Sequence, residues 1–274
     1  MSRVFDLLKA TSATLADAGI DSPQAQARTL ICYCLGLSPT RLALVDNLTD
    51  AQEALLQTAL EQRLAGRPIQ HITGEAFFRT VSVRVGPGVF IPRPETEILA
   101  GWAIDQVTPG KTRIVELCAG SGAISLAIAA ESDPREQWAV EIDPRAYTYL
   151  KANLAATAVH PVLGDMANSL PSLDATIDLV VANPPYLRAS LADHLPDEVA
   201  LDPDLALFSG DDGLDATRVV AKVARRLLKP GGVVGSEHGE DQAEDVAQIF
   251  CAAGFDQVRT CVDLAERPRF VVAR

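Results

Sequence analysis

The stretch Val115-Glu116-Leu117-Cys118-Ala119-Gly120-Ser121-Gly122-Ala123-Ile124 runs from an apolar strand through a glycine turn into the first residues of a helix. A strand that ends on glycines and re-enters as a helix is the opening of a βα unit, and without a Cβ at Gly120 and Gly122 a ligand can lie against bare backbone. Taken alone, G-x-G describes a plain tight turn equally well. Roughly 20 residues further on, Val140-Glu141-Ile142-Asp143-Pro144 closes a second apolar run, and an acid at the tip of a second strand is placed to accept from ribose hydroxyls. Glu141 is the candidate, with Asp143 behind it. A dinucleotide needs a third glycine to seat its pyrophosphate, and Ile124-Ser125 stands there instead. A third run ends in Leu163-Gly164-Asp165-Met166, where Asp165 can accept from an adenine amino group and Met166 can cover the ring. A nucleoside without a phosphate, such as S-adenosylmethionine, fits this set of groups.

Outward from that unit the same alternation continues. Strands are expected at 113–117, 138–142, 161–163, 177–182, 232–236, 258–262 and 269–273, and helices near 123–131, 145–155, 214–228 and 240–253. Short apolar runs separated by helical patterns give an α/β protein with a mostly parallel sheet. Segment 186–213 is long, proline-containing and acidic with little periodicity, and loops of that kind are often functional.

Upstream the pattern changes. From Val4 to about Ala65 the apolar residues recur at helical spacing (Val4, Leu7, Leu8; Leu56, Leu60, Leu64), which predicts a small helical bundle. Asp21-Ser22-Pro23 and Thr49-Asp50-Ala51-Gln52 read as helix starts. The runs 71–78 and 81–85 read as two strands meeting at Arg79-Thr80. The expected organisation is a helical domain over 1–67, a β-hairpin linker over 68–89 and a catalytic domain over 90–274.

Composition excludes several classes. Five scattered cysteines (Cys32, Cys34, Cys118, Cys251, Cys261) make neither a disulfide framework nor a zinc pattern, so no metal is expected and a reducing, cytoplasmic setting is. The N-terminus lacks the form of a signal peptide, and no run of about 18 apolar residues suggests a membrane span. A net charge of −12, with 18 Lys/Arg against 29 Asp/Glu after residue 67, argues against stable nucleic-acid binding through phosphates.

The most informative motif is Val181-Ala182-Asn183-Pro184-Pro185-Tyr186 at the end of the run from Ile177. Consecutive prolines fix φ and remove two amide donors, leaving outward carbonyls on a rigid loop. A planar NH2 group presents two hydrogens. The Asn183 side-chain oxygen and the Pro184 carbonyl can take one each, turning the nitrogen toward an incoming methyl, with Tyr186 packed on the acceptor's flat face.

These residues resemble the class I amino-methyltransferases, and within them the glutamine methyltransferases of peptide chain release factors. Asn183-Pro184-Pro185-Tyr186 matches the family's D/N-P-P-Y/F motif, and Glu116 to Gly122 matches its glycine motif. Pro68-Ile69-Gln70-His71-Ile72-Thr73-Gly74 is similar to the interdomain segment. Gly86-Pro87-Gly88-Val89-Phe90-Ile91-Pro92-Arg93-Pro94-Glu95-Thr96-Glu97 is similar to a loop that in the family lines the cofactor pocket. Asp197-Glu198-Val199, Asp202-Pro203, Asp212-Gly213-Leu214, Pro230-Gly231-Gly232, Glu237-His238-Gly239 and Arg267-Pro268-Arg269-Phe270 follow the same pattern.

The resemblance implies a Rossmann-like class I methyltransferase with a seven-stranded, mostly parallel sheet. It implies S-adenosylmethionine held by Glu116, Cys118, Ala119, Gly120, Ser121, Gly122, Glu141, Asp165, Met166 and Asn183, with Arg93, Glu95 and Thr96 lining the pocket. It also implies catalysis at Asn183, Pro184 and Tyr186, which with Pro185 would bind the GGQ loop of a release factor. Two positions depart from the family: Cys118 stands for the usual first glycine, and Glu116 for the usual aspartate. Glu237-His238-Gly239 reads as a structural or pocket-shaping turn. Two other functions share the motif: an adenine or cytosine amino-methyltransferase acting on a flipped base, and a non-catalytic cofactor-binding module on the translation apparatus.

Overall fold

The computed structural model describes residues 3–196 and 199–274, which divide into two compact units between Gly74 and Glu75. The first is helical: α1 (Arg3–Asp17), α2 (Pro23–Leu35), a 3-10 turn (Pro39–Leu44), α3 (Asp50–Leu64) and α4 (Ile69–Thr73). The start of α3 is a full capping box, with Thr49 Oγ1 accepting from the Gln52 amide and Gln52 Oε1 accepting from the Thr49 amide. At α2, Ser22 occupies the cap position at φ +49 without a side-chain cap bond, so Pro23 rather than a serine cap sets that start. Leu15, Leu30, Ile31, Leu56 and Leu60 close an apolar core within this unit.

The strand expected from His71 begins later. Ile69–Thr73 is a helical turn opened by Pro68 and closed by Gly74 at φ +77, whose amide reaches the Gln70 carbonyl. The hairpin is β1 (Glu75–Phe78) and β2 (Val81–Arg84), paired antiparallel. Ala76, Phe78, Val83 and Val85 pack with Leu99, Ile124 and Ile128, so the hairpin shares the core of the second unit. Arg79 fixes its turn, donating from Nε and Nη2 to Glu131 (2.9 and 2.6 Å) and from Nη1 to the Glu97 carbonyl.

The second unit continues with α5 (Thr96–Asp105), β3 (Arg113–Leu117), α6 (Ala123–Glu131), β4 (Glu136–Glu141), α7 (Pro144–Leu154), β5 (His160–Leu163), β6 (Ile177–Ala182), α8 (Asp204–Leu207), α9 (Asp215–Leu227), β7 (Leu228–Glu237), α10 (Ala243–Ala252), β8 (Val258–Val262) and β9 (Pro268–Ala273). The seven-stranded sheet has the order β5-β4-β3-β6-β7-β9-β8; β9 runs against its two neighbours and the other pairs are parallel. Apolar layers cover both faces, as a buried parallel sheet requires. From β3 the chain passes to β4 on one side and later to β6 on the other. The carboxyl end of β3 is therefore the switch point where ligands bind in open α/β sheets. Among the described residues no helix is long and apolar enough to cross a membrane.

Candidate functional site

A cavity of about 380 Å³ opens at that switch point, within the range of roughly 300–1,000 Å³ usual for small-molecule sites. Its wall takes Glu116, Cys118, Ala119, Gly120 and Ser121 from the β3 turn, Glu141, Ile142 and Asp143 from β4, and Gly164, Asp165 and Met166 from β5. Asn183, Pro184, Pro185 and Tyr186 follow from β6, and Phe90, Pro92, Arg93 and Thr96 from the segment before α5. Gly122 and Glu95 do not line it.

The β3 turn takes three left-handed residues, Cys118 (φ +55), Gly120 (φ +55) and Gly122 (φ +81). A Cβ on Gly120 would meet nothing within 4 Å, whereas one on Gly122 would stand 2.6 Å from Leu150 Cδ1. Gly120 thus keeps open a floor on the cavity, and Gly122 lets α6 close on α7. The positive φ at Cys118 gives the physical reason a glycine suits that position. Its Sγ lies 3.6 Å from Met166 Sδ, and burial pushes its thiol well above the usual range, the opposite of what a nucleophile needs.

Glu141 is 7% exposed; its Oε2 accepts from the Gly120 amide at 2.7 Å and its Oε1 from the Asp143 amide at 2.8 Å. Each carboxylate oxygen keeps a second acceptor site, so the group is oriented and still able to receive two hydroxyls. Burial raises its pKa. Asp143 caps α7 through the Arg145 amide. Glu116, more deeply buried, accepts from the Ser125 amide at 2.9 Å in the first turn of α6, and burial lifts its pKa to about 8. Asp165 is exposed and its Oδ1 accepts from the Ala167 amide. These acceptors beside an open glycine floor are groups that could hold a nucleoside with a sulfonium side chain.

Asn183 donates one Nδ2 hydrogen to Thr96 Oγ1 at 3.2 Å, which leaves its acceptor oxygen and a second Nδ2 hydrogen available to a ligand. Among the described residues none donates to the Pro184 carbonyl. Tyr186 is held twice. Its hydroxyl donates to Glu237 Oε1 at 3.4 Å, and its carbonyl accepts from Gln242 Nε2 at 2.9 Å. Gly213 permits this approach, since a Cβ there would stand 2.4 Å from the Tyr186 carbonyl oxygen.

Several contacts were not apparent from sequence. Asp202, its side chain fully buried, accepts from Arg93 Nη2 at 2.5 Å and from the Ile91 amide at 3.3 Å, tying segment 186–213 to the segment before α5. Arg93 also lies 5.1 Å from the Phe90 ring centroid. Leu205, 54% exposed on α8, and Ile142, 49% exposed, add apolar surface to the wall. An apolar residue between two acids at a strand tip was the available signal for Ile142; the periodicity of 186–213 offered none for Leu205. The Asp197-Glu198 pair lies outside the described residues. Arg267 and Arg269 gather on Asp263 at 2.8 and 3.5 Å, and Arg267 stands 3.5 Å from Glu95. His238 is fully buried with Nδ1 2.8 Å from the Gly239 carbonyl, outside the cavity wall.

Comparison with known proteins adds a family to this geometry. Residues 6–74 match the model of the PrmC N-terminal domain, and residues 102–199 match that of the TRM5/TYW2 methyltransferase domain. The chain is 43% identical to the release factor glutamine methyltransferase of Streptomyces coelicolor, over 95% of this chain and 94% of that one. It is 41% identical to the protein of the same name from Corynebacterium glutamicum, over 100% and 99%. The Deinococcus radiodurans protein of that name is 34% identical, over 98% and 97%. Among solved structures, the hMettl16 catalytic domain, crystallised in complex with the MAT2A 3'UTR hairpin 6, shares the fold with TM-score 0.58 and 14% identity, over 84% of this chain and 82% of that one.

Proposed function

Because this chain belongs to the release factor glutamine methyltransferase family, we propose that it transfers the methyl group of S-adenosylmethionine to the side-chain amide nitrogen of the glutamine in the GGQ loop of peptide chain release factors. The observation that carries the reading is the Asn183 amide: Thr96 holds its Nδ2, and its oxygen and the Pro184 carbonyl remain as a pair of fixed acceptors. Bound at the Glu141 and Gly120 side of the cavity, the cofactor supplies an electrophilic methyl on a sulfonium.

The residues of the chain do the rest. An amide nitrogen is a poor nucleophile because its lone pair is shared with the carbonyl. Asn183 and Pro184 hold its two hydrogens and favour the conformer whose electron density faces the methyl. These hydrogen bonds strengthen as the nitrogen becomes cationic, so they stabilise the transition state more than the ground state. Tyr186 supports the acceptor plane. The N-methylated cationic amide is acidic enough to lose its proton to water, so the site needs no base, in keeping with a Cys118 thiol and a His238 ring that are both held uncharged by burial. A translation factor as substrate places the reaction in the cytoplasm.

A flipped adenine or cytosine offers the same planar NH2, and the charge of −12 weighs against it. Incubation with methyl-labelled cofactor and, separately, release factor, DNA and RNA separates the two. Label is expected on release factor alone; label on nucleic acid alone would replace this function with the base-directed one.

A further inference from the structure

Pro184 and Pro185 carry no amide hydrogen, so the loop that bears the Asn183 motif cannot be held by donors of its own at those positions and has to be fixed from outside. Gln242, the residue before α10, fixes the far end of that loop. It is 3% exposed, forms no part of the cavity wall and bonds to three separate segments. Its Oε1 accepts from the Gly239 amide at 2.9 Å, while its own amide donates to the Gly239 carbonyl at 3.0 Å, which closes the turn after β7. Its Nε2 donates to the Tyr186 carbonyl at 2.9 Å and to the Asp212 carbonyl at 3.4 Å.

The chemistry of these partners allows the side chain one orientation. A backbone amide only donates and a carbonyl only accepts, so the Gln242 oxygen has to face Gly239 and its NH2 the two carbonyls. Among the described residues no backbone amide donates to either carbonyl, which leaves both to Gln242. Gly213 makes room for the junction: at φ +79, a Cβ there would stand 2.4 Å from the Tyr186 oxygen and 2.7 Å from Gln242 Nε2. The bond from the Tyr186 hydroxyl to Glu237, at 3.4 Å, restrains the tip of the ring and not the backbone. A surface link joins the same loops, from Arg188 Nη2 to Asp241 Oδ2 at 2.9 Å, but with side chains 44% and 67% exposed it holds little.

We propose that Gln242 is a positioning residue for methyl transfer: by holding the Tyr186 carbonyl it fixes loop 183–186 against the turn after β7 and the segment after α8, and so sets where the Pro184 carbonyl and the Tyr186 ring stand relative to the acceptor amide. This rests on the reaction proposed above and adds a residue outside the cavity wall. A displacement of reacting groups by about 1 Å can cost on the order of 100-fold in rate. Loss of the Gln242 bonds should therefore appear in turnover and not in cofactor affinity, since the groups proposed for the cofactor stand at the tips of β3, β4 and β5.

The test is steady-state kinetics of the full-length enzyme on intact release factor, beside cofactor titration, for the wild type, Gln242→Met and Asp241→Asn. Methionine nearly matches glutamine in length but has no hydrogen to donate to a carbonyl. Gln242→Met should lower kcat by about ten- to 100-fold with cofactor affinity unchanged. Asp241→Asn should keep the wild-type kcat. Wild-type kcat in Gln242→Met, a fall matched by a loss of cofactor affinity, or an equal fall in Asp241→Asn overturns the proposal. The NMR spectrum of ring-labelled tyrosine, with Tyr186 assigned by its absence in Tyr186→Phe, provides a readout without turnover. In Gln242→Met the Tyr186 signal should move while those of Tyr33, Tyr147 and Tyr149 stay. A fixed Tyr186 signal, or a shift of all four, overturns the proposal. If Gln242→Met does not fold, hydrogen exchange of the Gln242 side-chain NH2 in the wild type decides: protection well beyond that of exposed glutamines is expected, and exchange at their rate overturns the proposal. If the wild type methylates no release factor, the functional reading falls and the Tyr186 signal still decides whether Gln242 places the loop.

Discussion

Cys118 shows how one residue can be tolerated where the backbone favours another. At φ +55 an L side chain costs roughly 1–2 kcal/mol, which its half-buried contact with Met166 offsets in part. Cys118→Gly is therefore expected to change unfolding free energy by no more than about 1 kcal/mol, whereas Cys118→Val, β-branched at the same φ, should cost about 1–3 kcal/mol. Chemical denaturation of both variants checks this, and an equal loss in the two would show that packing rather than φ governs the site. In the proposed function Glu141 carries the cofactor end. Glu141→Ala removes an oriented acceptor, and adenosylmethionine affinity should fall by about 1.5–3 kcal/mol in calorimetry; unchanged affinity would remove Glu141 from the site. The strand-tip acids and the Asn183 motif, which the fold brings to one cavity, could be singled out in sequence because their spacing is local. The partners of Glu237 and Asp202 could not, since Tyr186 and Arg93 stand 51 and 109 positions away, and no spacing rule reports such a meeting.

At the scale of elements, the two glycines of the β3 turn separate binding from packing. Gly122→Ala puts a Cβ 2.6 Å from Leu150 Cδ1 at φ +81 and should destabilise the α6–α7 packing by about 1–3 kcal/mol. Gly120→Ala meets no protein atom within 4 Å, so beyond the roughly 1–2 kcal/mol cost of an L side chain at φ +55 it adds no clash, and the further loss should appear in cofactor binding. Thermal unfolding measured beside cofactor titration distinguishes them, and the reverse pattern would mean that Gly122, not Gly120, floors the cavity. Strands β3 and β6 fall at the expected residues because buried strands read as short apolar runs bounded by polar residues. Three elements did not follow, among them the four-residue α8 inside the segment read as a loop. Helix α5 was missed because Ile98-Leu99-Ala100-Gly101-Trp102 is apolar all round and hides the helical period. Helix α4 was read as strand because five residues between Pro68 and Gly74 are too few to display a period.

For the whole molecule, the chain up to Gly74 carries its own apolar core and exposes Leu44 at 82%. A glutamine on a loop offers little surface, so most binding energy should come from remote contacts with the folded release factor, contacts that orient the reacting group. A chain beginning near Pro68 should keep adenosylmethionine affinity and lose most of its kcat/KM on intact release factor, while a short GGQ peptide is a poor substrate for both forms. Equal losses on protein and peptide would indicate destabilisation instead of lost docking. The central claim, that the Asn183 and Pro184 acceptor pair directs a methyl group to an amide nitrogen, is tested most directly by mass spectrometry of the GGQ peptide from release factor treated with wild-type enzyme or with Asn183→Ala. One methyl group on the glutamine side chain, formed on the order of 100-fold more slowly by the variant with its fold and cofactor binding retained, is the expected result. Near-normal methylation by Asn183→Ala, or a methyl group on any other residue, would contradict it.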